Sequence, residues 1–162
     1  MTINYFLKIE GIDGESTDAD HADWIEVHGY NWGVESPSAV SGGSGGHRAG
    51  RVNFQDLGVL KHFDNASPDL MIHCASGKHI PTIELDCTLI TGDRHTFAKY
   101  LLNDCIVSSV TNGSNDEARD RPSETVTFSY RKIRVEYTPM DQAGTPGSTI
   151  DRTWDLETNQ EV

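Results

Sequence analysis

The chain lacks any run approaching the roughly 18 apolar residues that a membrane-spanning helix requires, so no helical membrane insertion is expected. Its first residues, Met1-Thr2-Ile3-Asn4-Tyr5-Phe6-Leu7-Lys8, show no basic stretch leading into an apolar run and a small-residue cleavage site. If the protein leaves the cell, it is expected to do so without a cleaved signal peptide. Basic residues are scarce: 13 Lys and Arg against 25 Asp and Glu give a net charge of -12. That sign repels phosphate backbones and anionic lipid, so nucleic acid is not expected as a partner. Cysteine is scarce too. Cys74, Cys87 and Cys105 are odd in number, sit in apolar surroundings and form no CxxC pair. They read as reduced, buried side chains of a protein that folds in the cytoplasm.

Catalytic and cofactor motifs are also missing, and no cofactor, metal or catalytic residue is assigned. No G-x-S-x-G elbow is present. His73 and His79 are six residues apart with Gly77 between them, which is not the i,i+4 pair of a helical zinc site. His21, His28, His47, His62 and His95 have no ligand-spaced partner and read as surface or hydrogen-bonded groups. The acidic run Asp13, Glu15, Asp18, Asp20 and Asp23 lacks the alternation, the glycine and the closing glutamate of a calcium loop, and reads as a solvated turn. Ser41-Gly42-Gly43-Ser44-Gly45-Gly46-His47-Arg48 is glycine-rich but has no GK[ST] ending and no helix pattern after it. It reads as a flexible connection between strands, long enough to suggest an interaction role. Triads are assembled in space, so a hydrolase stays among the competing readings, beside a solitary binding module.

What is present is strand. A hydrophobic fraction of 36% over 162 residues gives enough apolar material for one folded domain, 1–162. Ile3, Tyr5, Leu7 and Ile9 alternate with polar neighbours at the period of a half-buried strand. Further strands are predicted over about 24–35, 51–63, 80–91, 95–111 and 123–138, with a last one carrying Trp154 and Leu156. Three of them change phase. Ile25 and Val27 give way to Tyr30, Trp32 and Val34; Val52 and Phe54 give way to Leu57 and Val59; Val126, Phe128 and Tyr130 give way to Ile133, Val135 and Tyr137. A slip of one residue turns every side chain to the opposite face, so each break implies a bulge or bend, as in strands curving around a barrel. The competing reading is a strand buried on both faces at one end. One helix is predicted over about 68–76, with Ser67 as N-cap, Pro68 in the first turn, Gly77 as left-handed terminator, and Leu70, Met71 and Cys74 packing inward. The fold class is therefore all-β: a small barrel of two packed sheets with one short helix on its side.

The order of these segments resembles one family. Tyr5–Ser16, then His21 and Trp24–Val27 through Tyr30–Gly33, the glycine-rich loop, Val52–Leu57 and Lys61–Asp64 follow the pattern of the haemolysin-coregulated protein (Hcp) family of type VI secretion. Ser67–Met71, Cys74–Pro81, Val107–Val110, Glu124–Ile133, Tyr137–Pro139 and Thr153–Leu156 continue it to the end of the chain. Tyr30, where many members carry tryptophan, is a departure, and Arg131 and the 112–121 segment are less familiar. The resemblance implies a tube protein rather than an enzyme. Its subunits close into six-membered rings, stack inside a contractile sheath under a valine-glycine-repeat spike protein, and can hold effector proteins in the lumen. It implies a cytoplasmic protein that is expelled on firing. It also marks the loop at about 36–50, with Ser41, Gly42, Gly43, Ser44, Gly45, Gly46, His47 and Arg48 at its centre, as the expected contact between stacked rings.

Overall fold

The computed structural model describes residues 2–39, 48–49, 52–115 and 120–162. Its strands in chain order are β1 (Thr2–Ile9), β2 (Ile25–Val27), β3 (Gly29–Asn31), β4 (Val34–Glu35), β5 (Ser38–Ala39), β6 (Arg48–Ala49), β7 (Asn53–Phe54) and β8 (Leu57–His62). The helix α1 (Ser67–Ser76) follows, then β9 (Ile80–Thr91), β10 (Asp93–Gly113), β11 (Ser123–Ser129), β12 (Lys132–Tyr137), β13 (Ile150–Asp155) and β14 (Gln160–Glu161).

Two antiparallel ladders share β10. The first, sheet A, runs β2-β1-β9-β10-β12-β13-β14, and the second, sheet B, runs β3-β8-β11-β10. The N-terminal half of β10 lies between β9 and β12, while Ile106–Gly113 pairs with β11. A second junction is the chain itself, which leaves β2 in sheet A, passes through His28 and enters β3 in sheet B. The ladders thus enclose one core, although lateral pairing does not close between β2 and β3. Leu7, Ile25, Ile83, Leu85 and Leu102 from sheet A meet Leu57, Val59, Val126 and Phe128 from sheet B, each at most 1% exposed.

Each phase break is a corner where the chain changes partner. Val27 and Gly29 flank the move from β1 to β8; Phe54 and Leu57 flank the move from β4 to β11; Ser129 and Lys132 flank the move from sheet B to sheet A. A fourth corner falls within the predicted strand 95–111. Leu102 and Cys105 are both fully buried although three apart, and Asp104 between them takes φ 52°. A left-handed residue reverses the alternation, and a short polar side chain tolerates it better than a branched one. The Asp104 corner lies beside the Arg131 corner: Arg131 N–H donates to Asn103 O at 3.0 Å, and its guanidinium pairs with Asp104 and Glu157.

The helix begins one residue earlier than expected, and two of its expected roles change. Its N-cap is Ala66, with no side-chain capping bond, not Ser67. Ser67 is drawn inward instead, donating to Glu124 Oε2 at 2.6 Å. Gly77 terminates the helix at φ 65° as expected. Leu70 is fully buried and Cys74 half-buried, but Met71 is 55% exposed beside Ile72 at 54%, so Met71 does not anchor the helix. The buried face of this helix is a narrow stripe through Ser67, Leu70 and His73. In the last strand Trp154 lies in β13, whereas Leu156 follows it, its N–H donating to Arg131 O at 2.8 Å.

Candidate functional site

The two sheets present opposite chemistry outward. Cross-strand partners share a face, so two outward rows of sheet A read Glu26-Phe6-Asp86-Lys99-Glu136-Asp151 and Lys8-Glu84-Leu101-Arg134-Thr153, beside a short uncharged row, Asn4-Thr88-Thr96. Lys99 Nζ lies 2.9 Å from Glu84 and 3.7 Å from Asp86, and Arg134 lies 2.8 Å from Glu136 and 3.4 Å from Asp151. The outward rows of sheet B read Gly29-Leu60-Thr125-Thr111, Asn31-Gly58-Thr127-Ser109 and His62-Ser123-Gly113, with Ser129 beside Ile106. Although 23% of the chain is charged, these rows contain no Asp, Glu, Lys or Arg.

Sheet B hides the charge it has. Lys61 and Glu124 are cross-strand partners that point into the core, each 1% exposed. Lys61 Nζ donates to Glu124 Oε2 at 2.5 Å, Ser67 Oγ at 3.1 Å and His62 O at 3.1 Å, and lies 2.9 Å from Asp64 Oδ1. Burying an ion pair is costly unless it is well hydrogen-bonded; here Lys61 Nζ and Glu124 Oε2 are richly bonded, while Glu124 Oε1 is buried with no partner among the described residues. The cluster ties the start of α1 to β8 and β11. On the outside, hydroxyls bond one another: Thr127 Oγ1 lies 2.7 Å from Ser108 Oγ and 2.5 Å from Ser109 Oγ. Gly58 keeps the face flat, since a Cβ there would stand 2.2 Å from Asn31 Oδ1. The result is a hydroxyl-rich surface whose strand rows are uncharged, with one carboxylate at its corner, Asp56, whose Oδ2 accepts from Ser108 Oγ at 2.6 Å.

On sheet A, part of the acidic run is neither loose nor solvated. Buried His21 stacks on Phe6 with ring centroids 4.3 Å apart and meets Trp24 edge-on at 4.8 Å. Its Nδ1 lies 3.1 Å from Asp18 Oδ1 and its Nε2 3.0 Å from Asp86 Oδ2. Burial pushes the Asp18 carboxyl up, but the His21 hydrogen bond, the Asp20 N–H and Arg94 together hold it below the usual range. Asp86 is raised because burial outweighs His21 and Lys99. Both ring nitrogens of His21 face carboxylates, and the arrangement staples the loop to the sheet.

A half-buried aromatic cluster joins the strand corners. Trp32 Nε1 donates to Tyr130 Oη at 2.6 Å, and Tyr130 Oη donates to Gln55 O at 2.7 Å. Burial raises the Tyr130 phenol to about 12 despite the bond from Trp32. Beyond it, Phe54 and Trp154 stack at 6.0 Å and line a cavity of about 550 Å³ with Val52 and Leu156.

Of the expected stacking residues, Ser41, Gly42, Gly43, Ser44, Gly45, Gly46 and His47 lie outside the described residues. Arg48 is described only by its backbone, which pairs with Ala39 in the β5–β6 ladder. Among the described residues no three His, Cys, Asp or Glu side chains converge as a metal site would need, and no helix is long and apolar enough to cross a membrane.

Residues 6–137 match the family model described as type VI secretion system effector, Hcp. The chain is 37% identical to the protein hcp1 of Pseudomonas aeruginosa over 163 residues, which is 98% of each chain. Among solved structures it is similar to one described as a type six secretion system protein, at TM-score 0.94 and 34% identity, covering 99% of this chain and all of that one. It is also similar to Hcp1 from Salmonella typhimurium, at TM-score 0.79 and 32% identity, covering 99% of this chain and all of that one.

Proposed function

The chain belongs to the Hcp family of type VI secretion, and from that membership we propose that it is the subunit of the secreted tube: six copies close into a ring, rings stack, and the lumen carries effector proteins. The observation that carries this reading is the pair of free edges on sheet B. Among the described residues, Gly29–Asn31 of β3 pairs with β8 alone, and Ile106–Gly113 of β10 pairs with β11 alone. Edges that leave N–H and C=O groups unpaired invite another strand; the β10 edge is interrupted by one bulge, between Val107 and Ser109. The sheet alternates in direction from β3 to β10, so β3 of one copy meets β10 of the next in antiparallel sense. Two different edges make a head-to-tail contact, the kind that closes into a ring.

The hydroxyl-rich face of sheet B then lines the lumen and the charged face of sheet A turns away from it. A wall whose strand rows carry no charged side chain suits varied cargo, because it attracts or repels a folded protein only weakly by charge, while its hydroxyls donate and accept. The 36–50 loop is the contact between stacked rings, made weak and reversible by the cost of ordering glycine. The stack sits inside the contractile sheath and below the valine-glycine-repeat spike protein, and the protein acts as a structural component rather than a catalyst. Replacing Ile106, 41% exposed on the free edge, by lysine tests the edge contact. Loss of rings with a folded monomer is expected, and rings of wild-type mass would reject it. Gly45→Pro with Gly46→Pro is expected to keep rings but shorten tubes; tubes of normal length would reject the loop assignment.

A further inference from the structure

His28 is the hinge residue between sheets A and B, and it faces a second histidine. Its ring centroid lies 4.3 Å from that of His62 on β8, with the planes at 62°. His28 N–H also donates to Leu60 O at 2.7 Å, so the backbone that carries the hinge is hydrogen-bonded to the strand that carries His62. His62 Nε2 is 3.5 Å from Asp120 Oδ2, while its Nδ1 is buried with no hydrogen-bond partner. Glu26 on β2, Asp120 and Arg121 ahead of β11 complete the charged surroundings, and Arg121 is also paired with Glu15 at 3.3 Å. From β1 only the Tyr5 phenol among titratable groups shares the notch beside His28, and Lys61 on β8 points into the core.

We propose that His28 and His62 form an acid-sensitive latch on the seam between the sheets, closed while the two imidazoles are neutral and sprung when both become cations. Two facing imidazoliums repel, and among the described residues Glu26 and Asp120 are the carboxylates that oppose this at His28. Burial, then His62, then Arg121 lower the His28 pKa, against Glu26 and Asp120. The unfolded chain therefore binds the proton more readily. Stability contributed by neutral His28 is present above the unfolded value of about 6.5 and is lost as pH falls through the lower folded value. The element set free is β2–β3, which includes β3, one of the two edges assigned to the ring contact. The consequence for assembly rests on that assignment; the latch itself does not.

The test is an NMR titration of the His28 ring resonance between pH 8 and 4.5 in the wild type and in His62→Gln, with amide exchange of β2 and β3 at both ends. A His28 midpoint that rises in His62→Gln, together with protection factors that fall in acid only in β2–β3 of the wild type, is the expected result. Identical midpoints, or protection factors in β2–β3 that do not fall with acid, would overturn the latch. Should His62→Gln fail to fold, the wild-type curve alone decides: a broadened, two-step His28 titration supports coupling and a single ideal step rejects it. Light scattering on the same samples separates the two readings. Acid loss of rings in the wild type but not in His62→Gln supports the latch acting on the edge. A monomer at every pH with the coupled titration intact counts against the ring and leaves the latch standing.

Discussion

Lys61 and Glu124 face each other across β8 and β11, Nζ 2.5 Å from Oε2, with neither side chain reaching solvent. Removing one partner leaves a buried, uncompensated charge, so Lys61→Met is expected to cost about 3–5 kcal/mol in urea unfolding. Lys61→Met with Glu124→Leu removes both charges and is expected to regain most of that loss. A double variant as unstable as the single one would mean the pair holds the helix start rather than merely neutralising itself.

Gly14 carries the turn that brings His21 onto the sheet. A Cβ there would stand 2.3 Å from Trp24 O and 2.5 Å from Ile25 N, both backbone atoms that cannot swing away. Gly14→Ala is expected to destabilise the fold by about 1–3 kcal/mol and to weaken the stacking of His21 on Phe6. An unchanged unfolding midpoint and an unshifted His21 ring resonance would remove the steric account.

Tyr130 links two corners through one oxygen. Tyr130→Phe leaves Trp32 Nε1 and Gln55 O without their partner, at an expected cost of about 1–3 kcal/mol. Thermal unfolding measures it, and a loss within error would mean water replaces the hydroxyl.

The thiols of Cys87 and Cys105 are buried, and burial raises them to about 11 and about 12. Neither is a thiolate at pH 8, so neither reacts as a nucleophile. Native protein is expected to react with a thiol reagent through Cys74 alone, the half-buried one, and to yield all three thiols after unfolding. Rapid reaction of two or more thiols in the native state would contradict the packing.

Strand positions and three of the four corners were legible because a slip in alternation is itself the signature of a bend. The fourth, at Asp104, was hidden because Leu102 and Cys105 are spaced as they would be in a merely irregular strand; the signal was there but weaker. Ser67 has the chemistry of a cap, yet a buried lysine and glutamate from distant strands compete for the same hydroxyl, and only the pairing of β8 with β11 brings them together. Met71 faces outward against expectation because Leu70 and Met71 begin two adjacent apolar stripes, and the sequence does not say which of them turns inward. The hydroxyl-rich face of sheet B was invisible for a related reason: its residues come from four separated segments, and register alone puts them side by side.

The most direct measurement of the ring is solution mass by light scattering, with negative-stain images of the same sample. A six-subunit mass with annular particles is expected, and it would make the hydroxyl-rich face the place to look for cargo. A clean monomer at every concentration, near 17.9 kDa, would contradict the edge-to-edge ring and leave a family fold acting alone.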